Sequence, residues 1–104
     1  MTSIKIFDYT NDFAENKDSA RNLRLTFIEP TLKRKDRITL DFEGVTSATQ
    51  SFIHALISET IRIFGVDILN NINFKNCNSK VQTIIEIVVE YVQDGIFTEE
   101  DSEE

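Results

Sequence analysis

The hydrophobic positions of the chain change period several times, and each change marks an element. In SIKIFDY, residues 3 to 9, Ile4 and Ile6 fall on one face with Lys5 between them, the two-residue period of a strand. TNDFAENKD is polar and reads as a loop. DSARNLRLTFIE then repeats at helical spacing. Ala20, Leu23 and Phe27 recur three to four apart, Leu25, Ile28 and Leu32 widen the apolar face, and Asp18 or Ser19 is placed to cap the first turn. Pro30 has no N–H, and its ring crowds the carbonyl four residues back. It is expected to end or kink this helix near Ile28 or Glu29. RITLDF alternates again, with Ile38, Leu40 and Phe42 on one face, and is the second strand.

The following helix carries Ile53, Leu56, Ile57, Thr60, Ile61 and Phe64 along one stripe, and Gly65 closes it. Its opposite stripe is polar: Ser51, His54, Ser58 and Arg62, with Ala55 and Glu59 beside them. INFKNC, residues 72 to 77, alternates Ile72 and Phe74 and is the third strand. SKVQTIIEIVVEYV is rich in Ile and Val, yet its spacing is helical. Gln82, Glu86 and Glu90 form one row four apart, and Val81, Ile84, Ile85, Val88 and Val92 form the apolar face, with Asn78 or Ser79 as the cap. The order β-α-β-α-β-α predicts a small α/β domain. Its sheet is mainly parallel or mixed, three- to four-stranded, and packed against helices through right-handed crossovers. A fourth strand has room only in residues 8 to 16 or 94 to 98. One sheet face is expected to be covered and the other only partly.

Charge divides the chain further. The 104 residues carry 11 basic and 18 acidic side chains, a net of −7. Residues 99 to 104, EEDSEE, hold five of the acids, which leaves a body of nearly balanced charge. One domain over residues 1–94 with an acidic, solvated and disordered tail over residues 95–104 is the expected organisation. The acidity disfavours nucleic acid as a partner, because phosphates would be repelled. A single cysteine, Cys77, rules out an internal disulfide and favours a reducing compartment. There is no apolar signal-peptide core and no run approaching the ~18 residues that span a bilayer. The expected setting is therefore cytoplasmic, with no membrane partner.

Candidate chemistry is sparse. No CxxC, HExxH, acidic calcium loop, GxGxxG or P-loop occurs, so no metal and no cofactor is expected. His54 and Cys77 read as a surface histidine and a small core thiol. Lys33, Arg34, Lys35 and Arg37 follow a helix and oppose the negative end of its dipole. The segment VTSATQS, residues 45 to 51, stands out because it concentrates hydroxyls where a strand passes into a helix. A capping box with Ser47 as cap and Gln50 reaching back accounts for one hydroxyl, but not for Thr46, Thr49 and Ser51 as well.

ITLDFEGVTSATQSF, the helix closing in FG, the strand INFKNCN and the amphipathic last helix together resemble a STAS-like domain, nearest to the small bacterial STAS-like proteins. DSARNLR resembles the Ser-Arg segment that opens the first helix of that family. The likeness runs over roughly residues 3 to 93. STAS domains are typified by anti-sigma factor antagonists, in which a serine at the start of this helix is phosphorylated by a partner kinase of the histidine-kinase ATPase superfamily. By position Ser51 is the matching phosphoacceptor. The usual D-S-S-G of that family stands here as Thr49, Gln50, Ser51 and Phe52, without the aspartate and the glycine. The resemblance implies a non-enzymatic regulatory module. Its partner protein, a histidine-kinase-type ATPase or an anti-sigma-like factor, would meet Thr49, Gln50, His54, Ala55, Ser58, Glu59 and Arg62. Two other readings stay open. One is a small-ligand binder or enzyme using the strand-end carboxylates Asp8, Asp41 and Glu43. The other is a self-associating scaffold, for example a homodimer, that covers an open edge or face of a thin sheet.

Overall fold

A computed structural model describes the backbone of residues 2–102 and the side chains of residues 2–93. Its centre is the strand β3 (Ile38–Asp41), flanked in parallel by β1 (Thr2–Lys5) and β5 (Ile72–Lys75). The register places Ile4 beside Leu40 and Leu40 beside Phe74, with Lys5, Asp41 and Lys75 in line one step further. Successive side chains of a strand point to opposite faces, and the edge strands show the contrast between them, while the central Thr39 and Asp41 are buried on the more polar face. Ile4, Ile38, Leu40 and Ile72 are buried on one side, while Ser3, Lys5, Asn73 and Lys75 are exposed on the other. The alternation read from the sequence thus marks a sheet with its helices on one face. This is the small α/β, β-α-β-α-β-α architecture expected, with further short elements inserted.

Those insertions are instructive. The first strand ends at Lys5. Ile6 is buried, and the chain then coils into a single turn, α1 (Phe7–Thr10), instead of running extended to Tyr9. Next comes a two-residue strand, β2 (Phe13–Ala14), which pairs in parallel with β4 (Ser47–Ala48) in a separate small sheet. The extra strand therefore falls within residues 8 to 16, but it does not extend the main sheet.

Pro30 does not end its helix; the irregularity expected near Ile28 or Glu29 takes the form of a change in helical winding. The helix α2 (Lys17–Leu23), a π-helical turn (Arg24–Ile28) and α3 (Glu29–Lys33) follow without a break. The Glu29 N–H reaches back five residues to the Arg24 carbonyl, and this widening makes room for the proline ring just beyond. It also shifts the apolar stripe by one position. Leu23 is followed in the core by Ile28, five residues on, while Leu25 is exposed and Phe27 only half-buried. The cap of α2 is Asn16, whose side chain accepts from the N–H groups of Asp18 and Ser19 at 2.8 and 3.2 Å, so the expected cap is displaced by two or three residues. At the other end Lys35 takes the left-handed conformation, with Asp36 N–H on Thr31 O and Lys35 N–H on Leu32 O. This Schellman turn delivers the chain into β3.

The helix α4 (Gln50–Phe64) buries Phe52, Ile53, Leu56, Ile57, Thr60 and Ile61 and ends at Gly65, whose φ of 91° favours glycine. A 3₁₀ segment (Val66–Asn71) leads to β5. The last helix, α5 (Ser79–Ser102), is capped by Asn78, whose Oδ1 accepts from Val81 N–H at 2.9 Å, and it packs on α4 through Val81, Ile85, Val88 and Val92. The side chains of the expected acidic tail lie outside the described residues. No helix is long and apolar enough to cross a membrane among the described residues.

One polar atom in the core of α4 has no partner. The Thr60 hydroxyl is buried and makes no hydrogen bond. An unmet buried hydroxyl costs about 1–3 kcal/mol, and valine has nearly its shape. Thr60→Val is therefore expected to raise the urea midpoint of unfolding at unchanged slope, a gain of about 1 kcal/mol or more. A lowered midpoint would show that the hydroxyl is satisfied in solution.

Candidate functional site

The stretch from Phe42 to Phe52 is built by hydrogen bonds to the α1–β2 region. Phe42 N–H closes on Lys75 O, and Val45 N–H turns back to Phe42 O. Gly44 sits between them at φ 89°, with the Phe7 ring 3.0 Å from where a Cβ would project, so both backbone and space demand glycine there. Asp12 O accepts from Thr46 N–H, from the Thr46 hydroxyl and from Ser47 N–H, and Thr49 N–H reaches Ala14 O at 3.0 Å.

These contacts sort the hydroxyls of VTSATQS. Thr46 fastens the turn to Asp12. Thr49, not Ser47, is the cap of α4, its Oγ1 accepting from Phe52 N–H at 3.0 Å. Ser47 is drawn instead into β4 against Phe13. Ser51 is left exposed in the first turn of α4, where free N–H groups and the positive end of the helix dipole lie.

Ser51 stands on the rim of a groove of about 390 Å³ between α4 and α5. Gln50, Ser51, His54 and Ala55 form its α4 side, Ile87, Val88 and Tyr91 its α5 side, and Lys17 enters from the start of α2. The Tyr91 and His54 rings meet at 6.0 Å and 59°. Burial, helped by the nearby Arg62 charge and opposed by Glu59, holds the His54 imidazole below its ordinary pKa, so it is neutral at physiological pH. His54 Nδ1 lies 3.3 Å from the Ser58 hydroxyl.

Of the residues expected to meet a partner, Gln50 is exposed, Thr49, His54 and Ala55 are half-buried, and all but Thr49 line the groove. Ser58 is buried, its hydroxyl beside the His54 ring. Glu59 and Arg62 lie further down α4 as an exposed pair 3.7 Å apart, worth little in stability. Lys17, Ile87 and Tyr91 were not anticipated. The signal for the last two was available, since both are large apolar residues set off the buried row of α5, and both are exposed.

The strand-end carboxylates differ in their surroundings. Asp8 and Glu43 are exposed, whereas Asp41 is buried and occupied. Its Oδ1 accepts from Asn76 Nδ2 and from Glu43 N–H, each at 2.9 Å. These two bonds hold its pKa below the ordinary carboxylate value, against the cost of desolvation. Cys77, at the end of β5, is half-buried, and burial pushes its thiol pKa up. It faces a different groove from His54. Among the described residues no three of His, Cys, Asp and Glu come together as metal ligands.

A family model described as a STAS-like domain of unknown function (DUF4325) matches residues 19–82. No curated protein and no solved structure matches the chain. The matched span runs from the first turn of α2 through β3, the hydroxyl-rich junction and the whole of α4 to the start of α5, as the sequence resemblance implies. The chain is thus a member of the STAS-like domain family of unknown function (DUF4325).

Proposed function

We propose that the protein is a non-enzymatic regulatory module that binds a partner protein through the start of α4 and the adjoining groove, with Ser51 as the position where phosphorylation controls the contact. The observation that carries this reading is the exposed Ser51 hydroxyl on the groove rim, in the first turn of α4. A phosphate there meets free N–H groups and the positive end of the dipole, so the domain itself tolerates it. To a docked partner it adds about −1.5 to −2 charges, and binding is lost through repulsion and desolvation without any unfolding. Membership of the STAS-like family supports the regulatory role, and a kinase of the histidine-kinase ATPase class is the partner the family resemblance favours.

A photo-cross-linking side chain placed at Gln50 is expected to trap one protein adduct in the native cells. The same group at Asn73, an exposed residue of β5 on the opposite sheet face, should trap none. If the trapped protein is an ATPase of that class, purified protein incubated with it and ATP gains one phosphate, and Ser51→Ala gains none. Adducts from Asn73 alone would move the interface to the other side of the molecule, and phosphate gain in the Ser51→Ala variant would move the switch.

A further inference from the structure

The groove beside Ser51 combines one positive charge with an apolar wall. Acids outnumber bases 18 to 11 overall, yet the groove is lined by Lys17 and by no carboxylate. Lys17 is the first residue of α2, where the Asn16 cap fixes the backbone, and its ammonium has no carboxylate partner among the described residues. The opposite wall is apolar: Ile87 and Tyr91 are 41% and 63% exposed, with Val88 buried behind them. His54, held neutral by burial, adds no second charge. One cation at one side and an uncovered apolar wall at the other define a bipartite site.

We infer that the groove recognises an apolar side chain adjacent to a carboxylate on a partner protein, the apolar group resting on Ile87 and Tyr91 and the carboxylate pairing with Lys17. This rests on the docking reading above and specifies the chemistry of the docked segment. Charge complementarity selects the occupant. The lining offers one cation and no carboxylate, so an approaching carboxylate finds an attractive partner in the groove and no acidic group to repel it there. The same arrangement gives phosphorylation its lever. Ser51 and Lys17 line one groove, so a phosphate on Ser51 competes for the ammonium that the partner's carboxylate needs and repels that carboxylate directly.

The test uses 4-phenylbutyrate as probe and its neutral amide, 4-phenylbutyramide, as control. Both are titrated at neutral pH into the full ¹⁵N-labelled chain and followed by amide shifts. The acid is expected to shift Ser51, Ala55 and Tyr91, and the amide to bind roughly two- to fivefold more weakly, the span of an exposed ion pair. Lys17→Met and, separately, Ser51→Glu should erase the difference between acid and amide while leaving the amide's own binding in place. Equal binding of the two probes to the unaltered protein, shifts confined to another part of the surface, or no shift with either would overturn the inference. The outcome is independent of the cross-linking result. Selective acid binding without an adduct leaves the groove chemistry standing and removes the docking role, and an adduct without acid selectivity does the reverse.

Discussion

Arg24→Ala is expected to destabilise the domain by about 3–5 kcal/mol, the cost of leaving a buried charge unpaired. Arg24 and Glu29 meet at 2.6 Å with side chains 13% and 11% exposed. Five residues apart, they would point in different directions on an α-helix. The π-helical turn between them widens the coil and brings both to one side. Arg24 Nε also donates to Ala55 O at 3.2 Å, which ties the bulge to the middle of α4 directly beneath the groove. Removing the guanidinium strands the Glu29 carboxylate and loosens α4 at Ala55. The paired replacement Arg24→Met with Glu29→Met removes both charges and should recover most of the loss, because a buried ion pair rarely outperforms packed apolar groups. Urea midpoints of the single and double variants decide this. A single variant within about 1 kcal/mol of the parent would mean that Glu29 is solvated and the pair behaves as a surface one.

Asp41→Ala is expected to cost about 1.5–3 kcal/mol or more, since each hydrogen bond to the charged carboxylate contributes on that scale. Asp41 joins the carboxyl end of β3 to its own turn through Glu43 N–H and to the end of β5 through Asn76, which holds a left-handed φ of 59° to reach it. The pH dependence has a definite sign. The folded-state pKa lies below the ordinary value, so the contribution is fully present above about pH 4 and disappears as pH falls through the folded pKa. Asp41→Asn retains an acceptor oxygen but cannot titrate. Its deficit relative to the parent should be constant from pH 7 to pH 5 and shrink below about pH 4, the range in which the unfolded aspartate takes up its proton. A deficit that stays constant down to about pH 2 would show that the carboxylate is not differentially bound in the folded state.

The elements most legible in the sequence are those whose surroundings are simplest. In the main sheet the apolar Ile38 and Leu40 alternate plainly with the polar Thr39 and Asp41, although all four are buried in the central strand. The stripe of α4 is equally plain, because a single face is buried. Two features were hidden by non-local causes. The π turn inserts one residue into the helical count, so that of the expected apolar face Ile28 and Leu32 are buried while Phe27 is only half-buried and Leu25 exposed. The pairing of β2 with β4 is set by Asp12 and Ala14, more than thirty residues before their partners, and it withdraws Ser47 from the capping role its local pattern suggested. The candidate site divides in the same way. Ser51 is marked locally by its place at a strand-to-helix junction, whereas Lys17 and the Tyr91 wall reach it only because α2 and α5 pack on α4.

The strand order β1-β3-β5 also governs how the molecule comes together. Neither ladder of the main sheet joins segments adjacent along the chain, and no hairpin exists to seed it. Loop-closure entropy must be met before either ladder stabilises anything, so local coiling of α2 and α4 is expected to precede sheet assembly. During synthesis β1 is made about a third of the described chain before its partner β3, with Ile4 and Ile6 lacking that neighbour in the interval. A strand whose partner is still to be made exposes an open edge during synthesis, the condition that favours misassembly.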